Sequence, residues 1–151
     1  MKAHVGADAH TRLVHSLKAT AANTADVTEA HALLHGDEAE IFADAGYQGA
    51  DKRAENTDCT SDWHIAMKRN QRKRLTDSPE DQLTEQWERL KAKIRAKVEH
   101  PFHVVKNLFG HRKVRYRGLA KNEAQLFTLF GMANLLLGQR YWQRHCAQAA
   151  P

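Results

Sequence analysis

The chain has 151 residues, enough for one domain that buries its apolar surface without disulfide bonds or structural zinc. Its 23 Lys and Arg against 18 Asp and Glu give a formal net charge of +5, which favours a polyanionic partner, nucleic acid first. Two distant cysteines, Cys59 and Cys146, with no signal-peptide pattern or membrane-length apolar run, argue against a secreted or membrane protein and predict a reduced cytoplasmic setting.

The N-terminal part is predicted to hold a β-hairpin and a short helix. Polar and apolar side chains alternate over residues 2–5 and 13–17, and residues 8–12 between them are turn-like. Residues 23–24 offer a helix cap, and the helix that follows is expected to end at Gly36.

The middle of the chain predicts strands that alternate with helices. Residues 40–43 form a compact apolar strand that breaks at Asp44, residues 52–56 look helical, and residues 63–67 form another short strand. The charged stretch up to Glu80 is expected to be a loop. This alternation is typical of a mixed α/β sheet domain.

The C-terminal half is predicted to be mainly helical. A helix from Glu80 carries apolar residues three or four apart up to Val98. Pro101 is expected to interrupt it, because proline lacks a backbone donor and clashes with the carbonyl group one turn earlier. The pattern resumes at Phe102, which predicts a kink or two abutting helices, and an apolar helix is expected over residues 124–137.

Asp44 stands in the sharpest local motif, FADAGYQG at residues 42–49. A carboxylate at the end of a strand can be aimed into a crevice by a rigid sheet. Aspartate also commonly caps turns, so a purely structural role for Asp44 is the alternative.

Arg95, Glu99, Phe102 and Lys106 are spaced i, i+4, i+7 and i+11, so on a continuous helix they would share one stripe. A solvent-facing ladder explains the three charged members. Glu99 also borders the apolar face of this helix, which would let its carboxylate reach over the sheet edge toward Asp44.

Four segments carry a resemblance to a known family, in one order and over nearly the whole chain. They are the opening MKAHVGADA, FADAGYQG at 42–49, IRAKVEHPFHVVKNLFG at 94–110 and KVRYRGLAKN at 113–122. These segments look like the DDE transposases of insertion-sequence family five. The resemblance implies a ribonuclease-H-like mixed sheet with flanking helices over residues 1–140, followed by a C-terminal tail at 141–151.

The resemblance also implies roles for single residues. Asp44 falls on the second aspartate of the catalytic triad and Glu99 on its glutamate, so both would be metal ligands. Arg95 and Lys106 match the Arg-x3-Glu-x6-Lys signature around that glutamate. Related enzymes place a tyrosine three residues before the arginine, where this chain has Ala92, so a tyrosine contact with transposon-end DNA is not expected.

The implied cofactor is Mg²⁺ or Mn²⁺, because two ions about 3.5–4 Å apart activate water for attack on a phosphodiester and stabilise the leaving oxygen. Carboxylate oxygens suit these ions. The implied partners are transposon-end and target DNA at the bacterial nucleoid, together with a possible second copy of the chain or a complementing N-terminal half. Two basic segments would contact the DNA backbone in a salt-sensitive way: Lys68, Arg69, Arg72, Lys73, Arg74, Arg112, Lys113, Arg115 and Arg117.

The first catalytic aspartate of such enzymes lies on the opening strand of the sheet, upstream of the segment that Met1 begins. Asp8 is the obvious substitute, but it falls in the hairpin turn, where turn chemistry is favoured. The chain is therefore expected to be N-terminally truncated, to lack the first strand, and to give weak or no strand transfer alone. A remnant that only binds DNA, an inert product of a decayed element, and a misassigned start or separately encoded upstream half stay open as alternatives.

Overall fold

A computed structural model describes residues 1–145 as a mixed α/β protein, which confirms the predicted class. The chain divides into a discontinuous unit, Met1–Thr24 with Lys97 onward, and a continuous unit, Ala25–Ala96. Over residues 1–145, each unit contains one two-stranded sheet, where a single mixed sheet was expected. No helix in this part of the chain is long and apolar enough to cross a membrane.

The predicted hairpin is confirmed as β1 (Lys2–Ala7) paired antiparallel with β2 (Val14–Thr20). Asp8 closes the turn: its Oδ1 accepts hydrogen bonds from the backbone N–H groups of Thr11 at 2.5 Å and His10 at 3.0 Å, and from the Thr11 hydroxyl at 2.7 Å. The Thr11 backbone bond, before the others, lowers the pKa of Asp8. Asp8 is therefore a turn residue, as predicted.

The core of the discontinuous unit forms where α4 (Leu119–His145) packs on β2. The side chain of Asn134 ties the two together, since it donates to the carbonyl of Val14 at 2.7 Å and accepts from the N–H of Val14 at 2.8 Å. Phe130 meets Phe102 edge to face at 5.2 Å between centroids. The buried residues of this core are Leu17, Ala19, Val104, Val105, Leu126, Phe130, Ala133 and Leu137.

The helix α4 is longer than the predicted segment 124–137. It begins five residues earlier, just after Gly118, and continues beyond residue 140 into the stretch that was expected to be a tail. Residues 146–151, including Cys146, lie outside the described residues.

In the continuous unit, β3 (Glu40–Ala43) and β4 (Asp62–Ile65) pair in parallel and confirm the two predicted strands. The connection between them differs from expectation, because residues 52–56 form short 3₁₀ turns instead of an α-helix. The helix predicted before Gly36 is also 3₁₀, over Asp26–Leu33, and no side chain caps its start, so the predicted cap at residues 23–24 is wrong.

The C-terminal half is mainly helical, with a break between two of its helices. After α1 (Arg69–Arg72), helix α2 (Pro79–Arg95) stops three residues before α3 (Glu99–His103), which runs on into a π-helical turn, Val104–Leu108. Two abutting helices are confirmed, but the break precedes Pro101 instead of falling at it. Pro101 is the third residue of α3 and is fully buried. Proline is tolerated in a first turn, where its missing N–H would have no helical partner.

Helix α2 does not bury the apolar stripe that its sequence predicts. Leu83 is 66% exposed, and Leu90 and Trp87 are also exposed. Trp87 still packs edge to face on the ring of His64, at 5.3 Å between centroids. The buried residues of α2 are instead charged, because Glu88 and Lys91 bind backbone groups at and just beyond the end of β4.

Candidate active site

Asp44 follows the last residue of β3 and precedes a 3₁₀ turn, Ala45–Tyr47. Its backbone carbonyl accepts the N–H of Tyr47 at 2.9 Å, but its carboxylate makes no capping hydrogen bond. The side chain of Asp44 is 63% exposed. The turn is thus closed by the backbone of Asp44, and its carboxylate is left to contact other groups.

Arg95 forms an ion pair with the carboxylate of Asp44. Arg95 is the last residue of α2, a place where the partial negative charge of the helix end favours a cation. The structure therefore brings together two of the predicted site residues, from a strand end and a helix end of the same unit. A guanidinium at this place neutralises the carboxylate and presents planar donors that also match a phosphate group.

Glu99 and Lys106 belong to the discontinuous unit. Glu99 is an exposed residue in the first turn of α3. Lys106 is exposed on the following π-helical turn, with its Nζ 5.4 Å from the ring centroid of Phe102. The single helical stripe predicted from Arg95 to Lys106 is wrong, because the break between α2 and α3 falls between Arg95 and Glu99.

Glu88 and Lys91 form a buried ion pair that the sequence reasoning did not single out. Their side chains are 4% and 8% exposed. The Oε2 of Glu88 accepts the backbone N–H of Met67 at 3.0 Å, and the Nζ of Lys91 donates to the carbonyl of Ile65 at 2.9 Å. The available signal was opposite charge at i, i+3, with Arg95 one turn further on the same face.

The first basic segment, residues 68–74, presents four exposed cations and one that is held internally. Arg72 is half-buried and donates two hydrogen bonds of 2.8 Å to the carboxylate of Glu85, which also accepts from Arg89 at 3.0 Å. This group lines an open cavity of about 710 Å³ between α1 and α2. The exposed residues of the segment are Lys68, Arg69, Lys73 and Arg74.

Hydrogen bonds from Arg72, and then from Arg89, lower the pKa of Glu85 to about 2. Because the folded-state pKa lies below the usual value of 4.5, the stabilisation from this carboxylate is complete above about pH 4.5 and is lost as pH falls toward 2. We expect the Glu85 carboxyl ¹³C resonance to titrate near pH 2. In Arg72→Gln, with the matched variant Arg69→Gln as control, the midpoint should move upward; an unchanged midpoint contradicts the contact.

The second basic segment contains four exposed cations, Arg112, Lys113, Arg115 and Arg117. Its backbone is held by Asn122, which is buried at the start of α4. The side chain of Asn122 donates to the carbonyls of Tyr116 at 2.7 Å and Gly118 at 2.6 Å, and accepts the N–H of Tyr116 at 3.2 Å. One amide thereby fixes the loop that carries the cations.

Replacing Asn122 with Ala should lower the free energy of unfolding by about 1–3 kcal/mol, since the three hydrogen bonds that its buried side chain makes to the loop backbone are lost. We also expect weaker DNA binding, because the loop cations lose their common orientation. Chemical denaturation and fluorescence anisotropy with duplex DNA measure the two effects. Gln139→Ala, on an exposed amide of the same helix, is the control, and equal losses in both variants would contradict a special role for Asn122.

Tyr47 lies in the same motif as Asp44, and its surroundings raise its pKa. Burial, followed by the charges of Asp26 and Glu29, raises the pKa of Tyr47 to about 12. The stabilisation is therefore fully present below the unfolded pKa of about 10 and is lost as pH rises toward 12. We expect stability to fall over this window and Tyr47→Phe to flatten the fall. Urea unfolding at pH 9, 10 and 11 measures it, and identical slopes would contradict the assignment.

A family model described as the transposase DDE domain matches residues 1–135 of the chain. No solved structure matches it.

Proposed function

We propose, from the premise that this chain belongs to the transposase DDE domain family, that it carries two of the three acidic ligands of an insertion-sequence family five transposase. Asp44 and Glu99 are these ligands. The activity is metal-dependent cleavage of transposon-end DNA and transfer of the freed 3′ end to target DNA, in the bacterial cytoplasm. One observation carries the proposal: the exposed Asp44 carboxylate stands at a strand end, takes no part in capping its turn, and is paired with Arg95.

The donor chemistry fits Mg²⁺ or Mn²⁺. Asp44 and Glu99 both offer carboxylate oxygens, the hard ligands that these ions prefer, and both side chains are accessible to solvent. When bound, such ions activate water and stabilise the leaving oxygen of a phosphodiester. Asp44 and Glu99 would hold them, and their exposure leaves room for water and phosphate as further ligands.

The basic residues serve DNA in this proposal. Arg95 orients the carboxylate of Asp44 and offers donors to a nearby phosphate. Lys106 supplies an exposed ammonium one helical segment after Glu99. The exposed cations of residues 68–74 and 112–117 contact the DNA backbone, and they contribute salt-sensitive affinity more than sequence choice.

The remaining acidic ligand, which corresponds to the first aspartate of the triad, is proposed to come from a strand outside residues 1–145. Asp8 does not supply it, because three hydrogen bonds commit its Oδ1 to the hairpin turn. Each of the two sheets in the described residues has two strands and therefore open edges, which accept further strands. An added strand ending in aspartate would pair with one of these edges. It would come from an upstream segment or a separate complementing polypeptide.

Mn²⁺ binding and DNA cleavage test the proposal together. Wild-type chain, Asp44→Asn and Glu99→Gln are titrated with Mn²⁺ by electron paramagnetic resonance, with Asp51→Asn as the matched exposed aspartate. We expect affinity to fall in the first two variants only. Equal Mn²⁺ affinity in all four proteins would reject Asp44 and Glu99 as ligands, and robust Mg²⁺-dependent end cleavage by the chain alone would reject the external third acid.

DNA binding without catalysis is the second candidate function. The observation that favours it is the exposure of eight cations in two segments, none of which depends on a metal. A remnant with this surface would occupy transposon ends and interfere with an intact enzyme. Binding that persists in EDTA and is unchanged in Asp44→Ala, combined with no cleavage even when the proposed added strand is supplied, would support this function over the first.

A further inference from the structure

One face of α2 carries three charged residues at i, i+3 and i+7: Glu88, Lys91 and Arg95. We call this face the polar seam. Each member contacts the carboxyl-terminal end of the parallel strand pair. Glu88 binds the N–H of Met67 and Lys91 binds the carbonyl of Ile65, while Arg95 binds the side chain of Asp44.

The polar seam places two charges where apolar side chains would be expected. Burying ions is costly unless they are paired and hydrogen-bonded, and replacing such a pair with apolar residues often costs no stability. Meanwhile the apolar residues Leu83 and Leu90 of the same helix stay exposed. Apart from Trp87 on the ring of His64, hydrophobic burial therefore explains little of how α2 is held against the strand ends.

Directional hydrogen bonds fix the position of a helix along its axis and its rotation about that axis, both of which apolar contacts leave free. The backbone of Ile65 lies opposite Ala43 in the sheet register, and Asp44 is the next residue. Anchoring Lys91 to Ile65 thus sets α2 relative to the end of β3. Arg95, four residues after Lys91 on the same face, is carried to Asp44 by that anchor.

We propose that the buried Glu88–Lys91 pair is a positioning device, which sets the guanidinium of Arg95 on Asp44 and so orients the carboxylate for its cation. The contact with Arg95 stands independently of any activity. The last link, from Asp44 to a bound cation, rests on the proposed function.

Arginine side-chain NMR tests the positioning step in the full chain. The Nε–Hε resonance of Arg95 is assigned by its disappearance in Arg95→Gln. In the double variant Glu88→Met with Lys91→Met, which removes both buried charges, this resonance should shift to the position it takes in Asp44→Asn. Lys93→Met, on the opposite face of α2, should leave it in place.

Each protein is first compared with wild type by circular dichroism and thermal melting. The conservative variant Lys91→Arg keeps the buried positive charge, so its Arg95 resonance should lie near the wild-type position. A double variant that melts like wild type and keeps the wild-type Arg95 resonance would overturn the positioning role.

The second readout is Mn²⁺ affinity by electron paramagnetic resonance. The folded double variant should bind Mn²⁺ roughly 10–100-fold more weakly, the loss typical of removing an outer partner of a metal ligand. If the Arg95 resonance shifts in the double variant but Asp44→Asn keeps its Mn²⁺ affinity, the positioning role is supported and the metal role of Asp44 is rejected. If Asp44→Asn loses Mn²⁺ affinity but the Arg95 resonance of the double variant does not move, only the positioning role is rejected.

Discussion

Asp44→Asn will reduce Mg²⁺-dependent cleavage to background in an assembly that supplies this chain with the proposed added strand. The amide keeps the shape of the side chain but loses the negative charge that pairs with Arg95 and that, in the proposed function, holds a divalent ion. The loss should exceed the roughly 10–100-fold that removal of an outer partner costs. The substrate is duplex DNA taken from the two sides of the gene, and cleavage is followed on denaturing gels.

Two controls make this result specific. Asp51→Asn removes an exposed carboxylate from the same unit and should cleave like wild type. DNA affinity measured in EDTA should be nearly equal in wild type and Asp44→Asn, because the basic segments do not involve Asp44. Cleavage by Asp44→Asn at the wild-type rate would remove Asp44 from the catalytic site.

Lys91→Met will destabilise the chain by about 3–5 kcal/mol, because it leaves the carboxylate of Glu88 buried without its countercharge. The carbonyl of Ile65 also loses its donor. Urea unfolding followed by circular dichroism measures the change as a lower midpoint with an unchanged slope.

The double variant Glu88→Met with Lys91→Met distinguishes the stability lost when the ion pair is broken from the stability that the intact pair contributes. It removes both charges together and should recover most of the stability lost in Lys91→Met. Lys93→Met, an exposed change on the same helix, should stay within about 0.5 kcal/mol of wild type. If the double variant is less stable than the single one, the two side chains contribute separately and the argument from a buried pair fails.

Local patterns were sufficient to predict the strands. The hairpin and the strand before Asp44 follow from alternation and turn residues that lie within a few positions of one another. Proline alone places the break between α2 and α3 too late in the chain, because a helix interior excludes proline whereas the first turn, where Pro101 lies, tolerates it. The helix register around a proline depends on where the helix starts, which packing decides.

The candidate site was predictable in its residues and much less in its contacts. Asp44 and Arg95 were both identified from the sequence, yet their pairing depends on how α2 packs on the sheet. The apolar stripe of α2 pointed to the wrong buried face. Burial of Glu88 and Lys91 could not be read from the chain, since charged residues at this spacing are more often exposed.

The contact between Arg72 and Glu85 limits how strongly salt would weaken the proposed DNA binding. Each phosphate that a protein cation neutralises releases condensed counterions and adds about 0.9 to the slope of log affinity against log salt concentration. Arg72 is already neutralised within the protein. The segment 68–74 therefore presents four cations to counterion exchange although it contains five. Through this contact, Glu85 sets the effective charge that this segment would present to the proposed DNA partner.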